Sequence, residues 1–217
     1  MVCVLATNNP GKARELRALF AWEGGQSQFV THSNQLKSLA ELGLAFTPAE
    51  DGGTFEANAT QKAVETMAFL REHAAGLLGE AAALFVLADD SGLVIDALGG
   101  APGVDSALYL GVDTPFAVRN AHILEQMRDV PDAQRTARFV CVAACCLPDG
   151  SVVMRRGELE GMIAREAAGA DGFGYDPIFY VPQMGRTLAQ LTVDEKNIIS
   201  HRGKAMQAMK EWLELKA

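Results

Sequence analysis

Ala88-Asp89-Asp90-Ser91-Gly92-Leu93, led in by Ala83-Leu84-Phe85-Val86-Leu87 and continued by Val94-Ile95-Asp96-Ala97-Leu98-Gly99-Gly100-Ala101-Pro102-Gly103, is the stretch on which the fold turns. An apolar run bounded by polar residues and glycine reads as a buried strand, here carrying two adjacent carboxylates to its C-terminal end. Open α/β sheets bind ligands just outside the carboxyl ends of their strands. Side by side, two carboxylates repel and lose hydration, so a cation or a shared proton is expected to accompany them. Hard oxygen donors without a nearby Cys/His cluster point to magnesium. A plain strand-end turn with solvated aspartates carries the same letters, and the rest of the chain has to decide between the two.

A chain of 217 residues, 49% apolar and 21% charged, has material for one large domain or two small lobes and can bury a core without staples. It has no internal repeat and no linker long enough to mark independent domains. Uncharged apolar runs such as residues 139–147 fall far short of the roughly 18 residues of a membrane span, so no membrane partner is expected. Met1-Val2-Cys3-Val4-Leu5-Ala6 runs straight into a strand-like segment with no basic stretch ahead of it, which reads as no signal peptide and a cytoplasmic protein. Cys3, Cys141, Cys145 and Cys146 lie in apolar runs without a C-x-x-C pair, the pattern of buried thiols. A net charge of -8 argues against a nucleic-acid polymer as partner. A phosphate-bearing ligand would be small and held by local cations.

Taken in order, residues 2–6 read as a first strand. Thr7-Asn8-Asn9-Pro10-Gly11-Lys12 is a polar turn opening a helix with Ala13, Leu16, Leu19 and Phe20 on its apolar side. Strand, turn and helix N-terminus make a phosphate-binding geometry, although the letters are not those of a Walker A loop and an ordinary cap with a surface lysine fits them too. Residues 28–31 suggest a short strand and 34–42 a short helix. After the loop Pro48-Ala49-Glu50-Asp51-Gly52-Gly53, Thr54 is the expected N-cap of a long helix with Phe55, Ala59, Ala63, Met67 and Leu70 on its apolar face. Glu50 and Asp51 matter only if the fold brings them to Asp89 and Asp90.

Residues 92–97 read as another strand and 99–103 as a tight loop. Thr114 and Pro115 start a helix carrying Phe116, Val118, Ile123, Leu124 and Met127 and ending near Pro131. Residues 138–147 and 151–163 flank Pro148-Asp149-Gly150 as a hairpin. Ala170-Asp171-Gly172-Phe173-Gly174-Tyr175-Asp176-Pro177 interleaves glycine with aromatics, which allows a planar base to approach and stack, or simply sends the rings into the core. Thr192-Val193-Asp194-Glu195 fits a capping box for the last helix. Lys196, Ser200 and Gly203 share one stripe of that helix while His201 and Arg202 point elsewhere, so a common ligand would require a break near Ser200.

Together, Thr7-Asn8-Asn9-Pro10-Gly11-Lys12, Ala88-Asp89-Asp90-Ser91-Gly92-Leu93, Leu98-Gly99-Gly100-Ala101-Pro102-Gly103, Gly172-Phe173-Gly174-Tyr175-Asp176-Pro177 and Ser200-His201-Arg202-Gly203 resemble the Ham1 family of inosine/xanthosine triphosphate pyrophosphatases, over nearly the whole chain and in order. The resemblance implies an α/β fold, elongated and two-lobed around a central mixed sheet, formed by residues 1–217 as a single domain. It also implies a homodimer and a Mg2+-dependent enzyme that hydrolyses small-molecule nucleoside triphosphates, namely ITP, dITP and XTP, to monophosphate and pyrophosphate. Carried over by position, Thr7, Asn8, Asn9, Pro10, Gly11 and Lys12 would hold the triphosphate. Glu50, Asp89 and Asp90 would hold magnesium, with Asp90 also the general base. Ser91, Phe173, Gly174, Tyr175 and Asp176 would line the substrate cleft, and Lys196, His201 and Arg202 would close over phosphate and base. One departure stands out. Where the family reads Phe-x-Glu-Asn-Ala, this chain has Phe55-Glu56-Ala57-Asn58-Ala59, which moves the acid by about 100° around a helix and leaves Glu50 and Asn58 untouched.

The residue chemistry agrees. Attack of water on a triphosphate needs a metal and cations to absorb charge and a base to take a proton. An ordinary carboxylate with a pKa near ~4 is a weak base at neutral pH, so an alkaline optimum is expected. A magnesium phosphomonoesterase would use the same carboxylates but release orthophosphate. A sensor that binds without turnover gains little from carboxylates set beside phosphates.

Overall fold

The apolar run and the letters after it form one strand, not two. In the computed structural model, which describes residues 2–8, 10–21, 36–74, 76 and 83–215, the strand β3 runs unbroken over Leu84–Ile95. Asp89 and Asp90 therefore lie in its middle and not at its end. Neither of the residues that follow, Ser91 and Gly92, turns the chain, and the extended run continues through them into Leu93, Val94 and Ile95. The short strand β1 (Val2–Leu5) pairs in parallel with β3 and their ladder ends at Leu5 opposite Leu87, so the carboxylates begin where the parallel neighbour stops.

The remaining strands are β2 (Leu36–Ser38), β4 (Thr136–Cys146), β5 (Val152–Ile163), β6 (Phe179–Val181) and β7 (Arg186–Thr187), and the sheet order is β2-β1-β3-β4-β5-β6-β7. β2 is parallel to β1, whereas β6 is antiparallel to β5 and to β7, so the sheet is mixed and the class α/β. Five helices accompany it among the described residues: α1 (Pro10–Ala21), α2 (Phe55–His73), α3 (Phe116–Gln126), α4 (Val193–Ile199) and α5 (His201–Glu214). No described helix is long and apolar enough to cross a membrane.

The chain divides into two compact units, both discontinuous in sequence: residues 1–90, 141–157 and 204–217, and residues 91–140 and 158–203. β3, β4, β5 and α5 each contribute residues to both. The first unit packs Cys3 and Leu5 from β1, Ala13 and Leu16 from α1, Phe85 and Leu87 from β3, and Met206, Met209 and Leu213 from α5. The second packs Leu93 and Ile95, Ile123 and Met127, Phe139, and Phe179 with Leu188 and Leu191. β4 is almost continuously buried after Arg138, as its unbroken apolar run requires when both faces of a strand are covered. All four cysteines are buried and reduced, and burial pushes the Cys3 thiol up to about 12.

Local rules explain most element boundaries. Thr54 caps α2 by accepting the Ala57 amide, and Phe55, Ala59, Ala63, Met67 and Leu70 are buried as their spacing requires. β4 and β5 are joined by a turn closed by bonds from Leu147 N to Ser151 O and from Gly150 N to Leu147 O. The last helical segment breaks at Ser200, whose extended backbone ends α4 and precedes α5. Two expectations fail. Residues 36–42 form the β2 strand and a 3-10 turn over Ala40–Leu42, because Leu36 and Ser38 alternate inward and pair with β1; residues 34 and 35, like the strand expected at 28–31, lie outside the described residues. In α3, Phe116 and Val118 stay exposed and Thr114 donates to Leu110 O without capping, while Ile123 and, just past the helix end, Met127 are buried in the core and Leu124 packs half-buried against it.

A lysine-bridged acidic pair and an aromatic cation shelf

Along α2 a second buried stripe runs beside the apolar one: Asn58, Lys62 and Thr66, each one turn from the next. A buried polar group costs free energy unless it finds a partner; Asn58 and Lys62 find Asp90, whereas the Thr66 hydroxyl has no hydrogen-bond partner among the described residues. Lys62 Nζ lies 2.8 Å from Asp90 Oδ1, and Asn58 Nδ2 donates to Asp90 Oδ2 at 3.1 Å. The same Asn58 accepts the Gly52 amide at 2.8 Å, which ties the loop bearing Glu50 to the helix. Lys62 Nζ is also 3.2 Å from Glu50 Oε1.

Asp89, the neighbour of Asp90, has its own cation. Adjacent strand residues point to opposite sides, and Asp89 Oδ2 is 3.2 Å from Nζ of Lys12, in the first turn of α1. The repulsion expected of an adjacent pair is thus relieved by direction and by one lysine each. The set places three carboxylates, Glu50, Asp89 and Asp90, against the two ammoniums of Lys12 and Lys62. Burial is the largest influence on Asp90 and, though the Lys62 charge and the hydrogen bonds from Lys62 and Asn58 oppose it, the carboxyl stays above the ordinary aspartate range. Burial also pulls the Lys62 ammonium down, but the charges of Asp90 and Asp89 outweigh it and hold the proton more tightly than in water.

The turn before α1 places its residues unevenly. Asn8 Nδ2 donates to Phe46 O at 3.0 Å, Pro10 and Gly11 open α1, and the first turn of that helix carries no acid, leaving its positive end available to an anion. Asn9 lies outside the described residues. Asp51 takes no part in the acidic pair and accepts from Gln61 at 2.8 Å. Glu56, the displaced acid, is spent on an exposed ion pair with Arg156. The oxygens of Glu50, Asp89 and Asp90 are of the hard kind magnesium prefers. Among the described residues, however, no three acidic, His or Cys side chains are already gathered into a metal cage, and Lys62 sits between two of these three.

A different set occupies the second unit. Asp176 is buried and its Oδ2 accepts both the Phe173 amide at 2.8 Å and Lys196 Nζ at 2.7 Å. This hairpin-like closure needs glycine at 172, where φ is +78° and a Cβ would fall 2.2 Å from Asp176 Oδ2. Phe173, 40% exposed, has Lys196 Nζ 4.6 Å and the Arg202 guanidinium carbon 5.7 Å from its ring centroid. Arg202 Nη2 reaches Ser91 Oγ at 3.3 Å. The geometry sets two cations over a partly exposed ring, which suits a planar, electron-rich, anionic ligand.

Tyr175 and His201 are placed otherwise. Tyr175 is 3% exposed, donates to Ser106 O at 2.7 Å and meets the Phe116 ring edge-on, so it braces the loop from beneath. His201 is buried with its ring stacked on Phe139 at 4.7 Å. Gly203 allows the close return after Ser200: its amide donates to Ser200 Oγ at 2.9 Å, and a Cβ there would meet Asn197 O at 2.1 Å.

Several supporting residues escaped the sequence reading. Asn120 donates to Gly174 O at 3.1 Å, and Arg119, fully buried, ties down the carbonyls of Ala107 and Gly111 at 2.7 and 2.9 Å. Lys62 is the chief omission. Its signal was present in the sequence: polar residues at 58, 62 and 66, spaced by four, beside an apolar stripe.

Comparison with known proteins places the whole chain in one family. The profile of the Ham1 family matches residues 3–212. A dITP/XTP pyrophosphatase of Geobacillus kaustophilus is 43% identical over 98% of this chain and 94% of its own length, and one of Desulforamulus reducens is 44% identical over 98% and 96%. Among solved structures, the Staphylococcus aureus Ham1 protein superposes with a TM-score of 0.78 at 33% identity, with both chains covered in full.

Proposed function

Because the chain belongs to the Ham1 family, we propose that it hydrolyses ITP, dITP and XTP to the monophosphate and pyrophosphate and so clears deaminated purines from the nucleotide pool of the cytoplasm. The observation that carries this reading is the buried acidic pair Asp89-Asp90, answered by Lys12 at a helix start and by Lys62, an arrangement with charge of both signs ready for a polyphosphate and its counter-ion. The names of the relatives supply the substrate class.

In the proposed reaction the turn from Thr7 to Lys12 and the positive end of α1 hold phosphate oxygens, with Lys12 exchanging Asp89 for phosphate. Asp90 takes a proton from water as the water oxygen bonds to phosphorus, and the anhydride bond between the α- and β-phosphates breaks to release pyrophosphate. Asn58 keeps Asp90 oriented through its own bond to the carboxylate. Glu50, Asp89 and Asp90 are the residues to hold Mg2+, which when bound screens phosphate charge and acidifies water. The Phe173 ring takes the purine face, with Lys196 and Arg202 beside it, and Asp176 fixes both the loop and Lys196. A 6-keto purine presents an acceptor where adenine presents a donor, so a cation at that edge favours the former. Ser91 orients Arg202, Tyr175 and Gly174 shape the loop, and His201 positions the start of α5. We expect a homodimer, which light scattering reads as twice the chain mass.

The test is a panel of nucleoside triphosphates incubated with the purified protein and Mg2+, with products resolved. IMP and pyrophosphate from ITP in one step are expected; IDP and orthophosphate as first products would overturn the reading.

A further inference from the structure

Lys62 holds the place that a divalent cation needs. Its Nζ is 2.8 Å from Asp90 Oδ1 and 3.2 Å from Glu50 Oε1, on oxygens that the proposed function assigns to magnesium. A metal ion bound to both oxygens and an ammonium bridging both would set two cations at touching distance, where they repel strongly. The other Asp90 oxygen is taken by Asn58, so Lys62 is the contact that must yield for Glu50 and Asp90 to gather on one ion.

The surroundings allow it to yield. A permanent buried ion pair is enclosed on every side by further bonds, yet the Glu50 side chain keeps 46% of its surface exposed, and the pair is open on that side. Lysine is a point charge on a flexible four-carbon stem, able to move its ammonium several ångströms while its helix stays fixed. Phosphate oxygens arriving with the metal offer the displaced ammonium new acceptors.

We propose that Lys62 is a resident counter-ion, occupying the cation position in the metal-free protein and surrendering it only when metal and triphosphate arrive together. The proposal rests on the reading that Glu50 and Asp90 are metal ligands. It makes metal alone a poor ligand of the free enzyme and couples metal binding to nucleotide binding, because the triphosphate supplies the place to which the ammonium moves.

Mn2+ titrated into nucleotide-free protein, followed by loss of the aqueous Mn2+ EPR signal, tests it without recourse to activity. Lys62→Met and Lys62→Gln should each bind Mn2+ about tenfold or more tightly than the wild type, since a repelling charge is gone from the site. Lys62→Arg, which keeps the charge, should not. The second variant guards against misfolding of the first, and thermal melts report on both. Adding Glu50→Gln to Lys62→Gln should abolish the tightening. Mn2+ affinities in the neutral variants equal to wild type would overturn the displacement. Tightening that survives Glu50→Gln, or no Mn2+ uptake by any variant, would overturn the ligand assignment on which it rests.

Discussion

The two polar sets are built on opposite plans. In the first unit, carboxylates and ammoniums answer one another inside the fold, and each member is held by a charge: Asp89 by Lys12, Asp90 by Lys62, Glu50 by Lys62. In the second, an exposed phenyl ring lies beneath cations, and its loop is held by the Asp176–Lys196 pair together with neutral contacts, from Asn120 to Gly174 and from Tyr175 to Ser106. A set of balanced charges is suited to exchanging partners and moving protons. A braced ring is suited to recognising a flat shape. Under the proposed function, reaction falls to the first and choice of base to the second, and substitutions in each should then separate along that line.

The largest effect belongs to Asp90. Asp90→Asn should lower kcat for ITP by on the order of 10²-fold or more while nucleotide binding persists, as for loss of a general base; steady-state kinetics with a binding titration check both halves. Arg202→Ala comes next, with kcat/KM for ITP reduced by about 1.5 to 3 kcal/mol of transition-state stabilisation, the range of a lost charged hydrogen bond. It should narrow the ITP-to-ATP ratio and leave ITP-to-GTP nearly unchanged, because guanine shares the 6-keto group.

Asn58→Ala sharpens the comparison through pH. Burial holds the Asp90 carboxyl above its ordinary range and Asn58 bonds its ionised form, so removing Asn58 raises the pKa further. A base works only when ionised, so the acid limb of kcat/KM should shift to higher pH in the variant, with the alkaline plateau retained. The raised pKa also has a stability consequence of fixed sign: what it contributes is present below the unfolded aspartate pKa and is lost as pH climbs through the folded one. The smallest effect is expected for Tyr175→Phe. Losing the bond to Ser106 O should cost about 1 kcal/mol in chemical denaturation. Burial pushes the Tyr175 phenol up to about 12, so the wild type loses stability as pH rises from the ordinary tyrosine range through that value, and the variant should lack this component.

Much of this was legible in the sequence, and the reasons for the rest are physical. Short-range rules located Thr54 as a cap, Thr192 as a capping box and the turn at residues 148–150, because each is decided within a few residues, whereas the break at Ser200 followed only from supposing that Lys196, His201 and Arg202 share a ligand. The acidic pair was legible, but its position within the strand was not: nothing local distinguishes a strand that ends at Asp90 from one that continues to Ile95. Tyr175 and Phe173 are alike in composition, and only packing against Phe116 and Ser106 sends one inward and leaves the other exposed. Lys62 was passed over because a lysine on a helix is ordinarily a solvated one. Its burial depends on carboxylates that lie 12 and 28 positions away.

The division of labour is tested most directly by taking the base away from the substrate. Inorganic triphosphate offers the phosphates alone, so hydrolysis of it and of ITP should be measured in parallel for wild type, Asp90→Asn and Phe173→Ala. The account predicts that Asp90→Asn depresses both activities, whereas Phe173→Ala depresses kcat/KM for ITP and leaves that for inorganic triphosphate at the wild-type level. An equal loss on both substrates in Phe173→Ala would contradict it.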